Sequence, residues 1–374
     1  MRPISRARFA LVVTLVSSNL SAIAIQGTKT IPPFAEGREG NTLANVPFHA
    51  PECRFQQVTA ASEIAPNGLC VLRGVAFRRE GGGTTGSYPI PARSIPRVTI
   101  DLAPAAVTLD KMGSVFANNI RGVVTSVFDA KIDLPYQPVF PNGPGPFNVS
   151  FVFSRPYIHR VTDGDLLLDL KSFDPTQTGY SGYWLDAFET RPYGQFWLIG
   201  TSGKLSNGNR PLLSLDTSSS QIPGGQLNYS LRSLPQSLPC FWFIGFSRTT
   251  WGVLPLPLDL SPLGAAGNSL YTGMEIFGPM TVRASGSAYE GYAQLPIPND
   301  PKLDGAGFYT QALVVDPAAN TLGVVFSNLF ESELGVTQGY AQSYWAAKPD
   351  AVSATSYRLP SRPGGLVTQW SGGF

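Results

Sequence analysis

The stretch that decides the fold is Val124-Thr125-Ser126-Val127-Phe128-Asp129-Ala130-Lys131-Ile132-Asp133-Leu134. Its even positions, Val124, Ser126, Phe128, Ala130, Ile132 and Leu134, form one face, while Thr125, Asp129, Lys131 and Asp133 point the other way. A repeat of two marks a strand with one side in a core, because successive side chains leave opposite sides of the pleat. Outward from it, the same period recurs in Arg97-Val98-Thr99-Ile100-Asp101-Leu102 and in Phe147, Val149, Phe151 and Phe153. Leu166-Leu167-Leu168-Asp169-Leu170 reads as a more deeply buried strand. Val107 to Ile120 has room for a turn or two of helix, and no long amphipathic helix is legible. Alternating strands broken by Gly and Pro turns predict an all-β chain of two tandem antiparallel β-sandwich domains, the first jelly-roll-like and the second Ig-like.

Turn-rich breaks set the expected boundaries. Residues 1–24 read as a signal peptide, 25–46 as a flexible N-terminal segment and 47–200 as the first sandwich. Residues 201–226, rich in Ser, Gly, Asn and Pro, read as a linker or long loop. Residues 227–335 hold the second sandwich, with strand candidates at 227–231, 240–248, 308–315 and 322–327. The Gln-, Ser-, Ala- and Gly-rich remainder, 336–374, is expected to be a loosely ordered or partner-binding tail.

The N-terminus carries an address. Arg2, Arg6 and Arg8 form a positive region, Phe9 to Val16 an apolar run and Ala22-Ile23-Ala24 a cleavage pattern, so the expected location is secreted, extracellular or periplasmic. That apolar run is far short of the ~20 residues that span a bilayer, and no membrane insertion is expected after its removal. Charged residues make up 14% of the 374-residue chain, against about 25% in ordinary soluble domains. The formal charge is +2, and removing residues 1–24 leaves 24 bases against 25 acids. That near-neutral balance excludes nucleic-acid binding through a basic surface, and the 43% hydrophobic content excludes wholesale disorder.

Export permits disulfides. Three cysteines give three possible pairs, and Cys53 with Cys70, flanking the Pro66-Asn67-Gly68 turn, is the expected bridge. Such a loop closure is worth roughly 3 kcal/mol. Cys240, in Pro239-Cys240-Phe241-Trp242-Phe243, reads as a buried thiol. With two histidines, His49 and His159, and no Cys-x-x-Cys, a zinc site of the usual kind is excluded.

Tyr180, Tyr183, Trp184, Phe188, Tyr193, Phe196 and Trp197 place seven aromatic rings in 18 residues, interleaved with Asp186, Glu189 and Arg191. One reading is a sugar-binding surface, with Tyr180, Tyr183, Trp184, Asp186, Tyr193 and Trp197 as its ligand-binding residues. The other is that the rings fill a sandwich core, the commoner fate of large rings. Asp163-Gly164-Asp165 with Asp169 raises a calcium site, with Asp163 and Asp165 as its ligands. Asp-Gly is also an ordinary tight turn, and the turn reading prevails. Gly81-Gly82-Gly83 reads as a hairpin tip, because no Lys-Ser/Thr and no helix follow it. No Gly-x-Ser-x-Gly elbow occurs. Asp186 and Glu189 supply two carboxylates of the kind glycoside hydrolysis needs, but among 25 acids such a pair also arises by chance.

Two segments resemble a group of exported bacterial proteins, many without an assigned function, built from modular β-sandwich domains. The first runs through Arg54-Phe55-Gln56-Gln57-Val58, Ala61-Ser62-Glu63, Val75-Ala76-Phe77-Arg78 and Ser114-Val115-Phe116-Ala117-Asn118-Asn119-Ile120 to Asp165-Leu166-Leu167-Leu168-Asp169-Leu170. It is similar to the RxQQVYxxSxF-type N-terminal domain, with Thr59 where a Tyr and Ile64 where a Phe is usual. The second, Leu254-Pro255-Leu256-Pro257-Leu258-Asp259-Leu260-Ser261-Pro262-Leu263-Gly264, Pro298-Asn299-Asp300-Pro301 and Gln311-Ala312-Leu313-Val314-Val315-Asp316-Pro317, resembles the C-terminal module of such proteins. There a Cys often stands where Asn268 stands here, which agrees with an unpaired Cys240. The resemblance spans about residues 50–335, implies sandwich modules and export, and transfers no catalytic residue.

The function expected is therefore that of an exported, non-catalytic β-sandwich protein, a structural, adhesive, or glycan- or protein-binding module. Its expected partner is an extracellular glycan or surface protein, and no cofactor is expected. The alternative is a secreted carbohydrate-active enzyme with acids near the 180–197 aromatic cluster. Two close, cleft-lining carboxylates flanked by an exposed Trp184 or Trp197 distinguish the enzyme.

Overall fold

The computed structural model of the chain describes residues 26–81, 88–140, 143–354 and 363–374. The expected signal peptide and the Gly82-Gly83 part of the hairpin tip lie outside the described residues. Strands dominate, and the α-helix Ala61–Ile64 is a single turn. The helical turns expected between Val107 and Ile120 are two short 3-10 turns, Leu109–Lys111 and Phe116–Asn119. No described helix is long and apolar enough to cross a membrane.

The strands gather around two hydrophobic cores. Around the first, five antiparallel strands run in the order Ala341–Ala346, Cys53–Thr59, Leu166–Phe173, Arg93–Pro104, Thr125–Leu134. A four-stranded sheet, Gln26–Ile31, Thr368–Gly373, Leu69–Phe77, Val149–Arg160, shares that core. Phe77 and Phe151 of the second sheet meet Phe55, Ile100 and Leu170 of the first in one buried cluster. In Thr125–Leu134, Ile100 pairs with Phe128 and Asp101 with Ser126, which leaves Val127 as a β-bulge. The extra residue resets the alternation, so Val127 is buried while Ser126 and Ala130 are exposed.

The second core lies between two further sheets. One runs Gln195–Ile199, Leu329–Glu333, Gly307–Val315, Cys240–Gly245, Ile276–Pro279; the other runs Leu212–Leu215, Gln226–Leu234, Ala288–Pro296, Thr281–Ser285. Leu227, Tyr229 and Leu231 from the latter pack with Cys240, Val314 and Phe330 from the former.

The structure differs from the sequence reading in four places. The expected loose tail is built into the first sandwich. Ala341–Ala346 pairs with Cys53–Thr59, Gly364–Leu366 with Leu185–Glu189, and Thr368–Gly373 lies between Gln26–Ile31 and Leu69–Phe77. Its glycines read as loop, but they serve close packing: a Cβ on Gly372 would stand 2.0 Å from Val71 O. Second, the segment expected to be flexible, 25–46, begins with Gln26–Ile31, which is held by that returning tail. Third, the expected linker contains the strand Leu212–Leu215, where Asn328 accepts from Leu213 N–H at 2.9 Å and donates to Leu213 O at 3.1 Å. The same boundary shifts on its other side, because Gln195–Ile199, expected in the first sandwich, pairs with Leu329–Glu333 of the second core. Composition misleads in each case because partners far away in sequence supply the burial that local residues do not advertise.

The fourth difference is the disulfide. Cys53, Cys70 and Cys240 are all free and buried. Cys53 opens Cys53–Thr59, which pairs with Leu166–Phe173, whereas Cys70 stands in Leu69–Phe77, which pairs with Val149–Arg160, so the two lie in different sheets and form no bridge. Burial raises the Cys70 thiol to about 11 and the Cys240 thiol to about 12, so both stay protonated and unreactive.

Trp370, fully buried with its Nε1 donating to Thr368 Oγ1 at 3.1 Å, anchors the returning tail. Trp370→Ala is expected to lower the unfolding free energy by about 3–5 kcal/mol, read from the urea midpoint at unchanged slope. A loss below about 1 kcal/mol, the scale of a surface substitution, is the contrary result and means that the tail unfolds separately.

Candidate functional site

The central strand of the site, Leu329–Glu333, lies between Gln195–Ile199 and Gly307–Val315. Glu331 stands opposite Trp197 on one side and Tyr309 on the other, and Glu333 stands opposite Gln195 and Gly307. Because strand side chains alternate, Phe330 turns into the second core while Glu331, Glu333, Trp197 and Tyr309 share the opposite face. Across from that face stands the segment Phe34, Arg38, Glu39, Gly40, which comes from the first sandwich. Together with Gly305, Gly307, Phe308 and Ser332 these residues enclose a cleft of about 270 Å³. Cavities of about 560 Å³ beside Lys29 and Tyr340 and about 390 Å³ beside Trp184 are larger. What singles out the smaller cleft is the convergence of three carboxylates, a guanidinium and an indole.

Each polar group has a defined environment. Arg38 donates through Nε to Phe34 O at 2.9 Å and through its other arm to Gly305 O. Glu331 meets Arg248 at 3.4 Å. Burial holds the Glu333 carboxyl above the usual carboxylate range, opposed by Arg191 and Arg38. Burial does the same to Glu39, opposed by the Gly81 N–H and by Arg78 and Arg79.

Behind the cleft lies a buried charge centre. Asp186 is fully buried; its Oδ2 accepts from Arg78 Nε at 2.7 Å and NH2 at 2.6 Å, and its Oδ1 accepts from Gly40 N–H at 2.9 Å. Carboxylate oxygens of Glu39, Glu80 and Asp186 lie within 4.8 Å of one another, the one such group of potential metal ligands among the described residues. Arg78 already neutralises Asp186, so a cation entering there must displace a guanidinium. Three carboxylates face two guanidiniums, Arg78 and Arg79, and this imbalance favours retention of a proton. Desolvation, with Glu39 adding to it, pushes Asp186 up to about 7.

The sequence-selected residues are spread over several environments. Tyr183 is buried in the first core, its hydroxyl donating to Pro135 O at 3.1 Å and accepting from Gln137 Nε2 at 2.8 Å. Tyr180, 75% exposed, and Trp184 stack on the two faces of His49, with ring centroids 4.8 and 4.5 Å away. His49 Nδ1 accepts from Gly182 N–H at 2.9 Å, which fixes the stack beside the pocket formed by Tyr88, Pro89, Ile90 and Pro91. Tyr193 is exposed, and of the six candidates Trp197 alone lines the cleft. Asp186 supports the cleft from behind through Gly40 and Glu39.

The Asp186–Glu189 pair is not a catalytic couple. Both are buried, and Glu189 is held by Arg191 at 3.4 Å. The calcium candidates are turn caps: Asp163 accepts from Arg160 N–H and Asp165 from Ala61 N–H, both at 3.0 Å, around Gly164 at φ +75°. His159 is buried, with Nε2 2.9 Å from Gly164 O. Sequence reasoning missed Arg38, Glu39, Tyr309, Glu331 and Glu333. The alternation Leu329-Phe330-Glu331-Ser332-Glu333-Leu334 was the available signal, since it puts two acids on one strand face.

No known protein family, no curated protein and no solved structure matches the chain.

The buried carboxylates have a consequence for stability. Asp186 and Glu39 titrate as one coupled group that burial raises from the ordinary carboxylate range towards about 7, so in that window the native group shares a proton that the unfolded state has released, while Asp186 keeps its contact with Arg78. The associated stability is complete below 3.8 and is lost as pH rises through 7. Urea midpoints are therefore expected to fall between about pH 5 and pH 8, and Asp186→Asn to flatten that slope whatever its effect on absolute stability. An equal slope in the variant is the result that contradicts this assignment.

Proposed function

We propose that this is an exported protein that binds a saccharide in the Trp197 cleft. The observation that carries the reading is Trp197, 45% exposed, on one strand face with Tyr309, Glu331 and Glu333 and opposite Arg38. A sugar ring presents an apolar C–H face and an equatorial fringe of hydroxyls. The indole suits the first, and carboxylates with a guanidinium suit the second. Export rests on the basic, apolar and Ala-x-Ala succession of residues 1–24. A glycan array probed with the purified protein tests the reading. Saturable binding is expected, weakened about tenfold or more by Trp197→Ala and unchanged by Trp184→Ala, which alters the other pocket. Loss in Trp184→Ala alone, or no binding to any glycan, overturns it.

A second reading, glycoside hydrolysis, is favoured by one observation: Glu331 and Glu333 are two residues apart on the same strand face. That spacing separates their backbones by about 7 Å, comparable to the carboxylate pairs of glycosidases. Glu333, raised by burial, suits the acid, and Glu331, which meets Arg248, is the second carboxylate. Under this reading, an array-positive glycan is hydrolysed to shorter products, one new reducing end per bond cleaved, when incubated with wild type and not with Glu333→Gln. Stable glycan in both samples leaves binding as the function.

A further inference from the structure

Three lining side chains of the cleft are carboxylates, Glu39, Glu331 and Glu333, against one guanidinium, Arg38. That guanidinium is already committed to the carbonyls of Phe34 and Gly305. Arg248 approaches Glu331 at 3.4 Å from a half-exposed position, the kind of ion pair that water largely screens. Glu39 Oε2 accepts from Gly81 N–H at 3.3 Å, while its Oε1 is enclosed and accepts no hydrogen bond among the described residues. With Arg191 beside Glu333 and with Arg78 and Arg79 behind Glu39 offsetting them only in part, the cleft presents three carboxylates beside two aromatic rings, Trp197 and Tyr309.

An ammonium group answers both features. It donates charge-assisted hydrogen bonds to carboxylates, and it is attracted to ring faces by the aromatic quadrupole. A neutral hydroxyl does each more weakly. Resting on the saccharide reading above, we propose that the cleft selects amino sugars, with the ammonium among Glu39, Glu331 and Glu333 and the sugar ring against Trp197. Burial without enough compensating positive charge is what holds Glu39 and Glu333 above the ordinary carboxylate range. An incoming cation supplies that charge, and so gains more here than on an open acidic surface.

The test is calorimetric titration of the purified protein with β-linked oligomers of glucosamine, N-acetylglucosamine and glucose of equal length, at mildly acidic pH where the free amine is charged. These probes differ only in the substituent beside the glycosidic carbon. The glucosamine oligomer is expected to bind about tenfold tighter than the other two. Glu331→Gln and Glu333→Gln, checked for unchanged melting, are expected to remove that preference, while Trp197→Ala weakens all three oligomers alike. Equal affinity for the three, or a preference that survives both glutamine variants, overturns the inference and leaves the saccharide reading intact. If none of the three binds, the inference falls, and the saccharide reading is judged by the array alone.

Discussion

The Arg78–Asp186 ion pair is the constraint on which the rest of this architecture depends. Asp186 is fully buried on Leu185–Glu189, and Arg78, equally buried, follows directly on Leu69–Phe77. The guanidinium spans from Asp186 to the carbonyl of Arg38, and it lies over the Phe147 ring with its carbon 4.8 Å from the centroid. Asp186 in turn accepts from Gly40 N–H. One charge pair thus ties two strands to the 38–40 segment. A buried charge left without its partner costs several kcal/mol, so the segment has few alternative positions. Glycine at position 40 is part of the same constraint, since a Cβ there would stand 2.0 Å from Ala187 O.

That tether matters because the cleft is made by both cores. The strand face carrying Trp197, Tyr309, Glu331 and Glu333 belongs to the second, and Phe34, Arg38, Glu39 and Gly40 belong to the first. Arg38 bonding to Gly305 O joins them, and Phe34 packs edge-on against Phe188 and Tyr340 at ring separations of 6.3 and 5.9 Å. The same charge centre reaches the cleft through Glu39, which lies among the buried carboxylates and also lines the binding space. Proton occupancy behind the cleft and electrostatics inside it are therefore one linked system.

Closure of the first sandwich is the other long-range event. Gln26 pairs with Gly373 and Ile31 with Thr368, so the two ends of the described chain are neighbours in one sheet. The tail enters with little side-chain bulk, which lets Gly365 pass close to the Gln57 side chain and Gly372 close to the Val71 backbone, and Trp370 supplies the apolar area that holds it there. Contacts of such sequence separation carry a loop-closure cost that is met only when both sheets are in place.

What the sequence by itself determined was the all-β class, because period two in segments such as Arg97–Leu102 and Phe147–Phe153 is a local property of side-chain direction. It also marked Trp197 and Asp186 as unusual, one an indole and one an acid within an aromatic run. Tertiary structure alone decided their fates. Trp197 and Trp184 lie 13 positions apart in the chain, yet they face different cavities, since the strand Gln195–Ile199 pairs with Leu329–Glu333 while Trp184 stacks on His49. Tail, linker and disulfide were misread for a related reason: composition reports how residues behave alone, whereas burial depends on which distant strand arrives to cover them. The cleft was illegible because its carboxylates come from positions 39, 331 and 333, and only strand register and the Arg78–Asp186 tether bring those positions to one space.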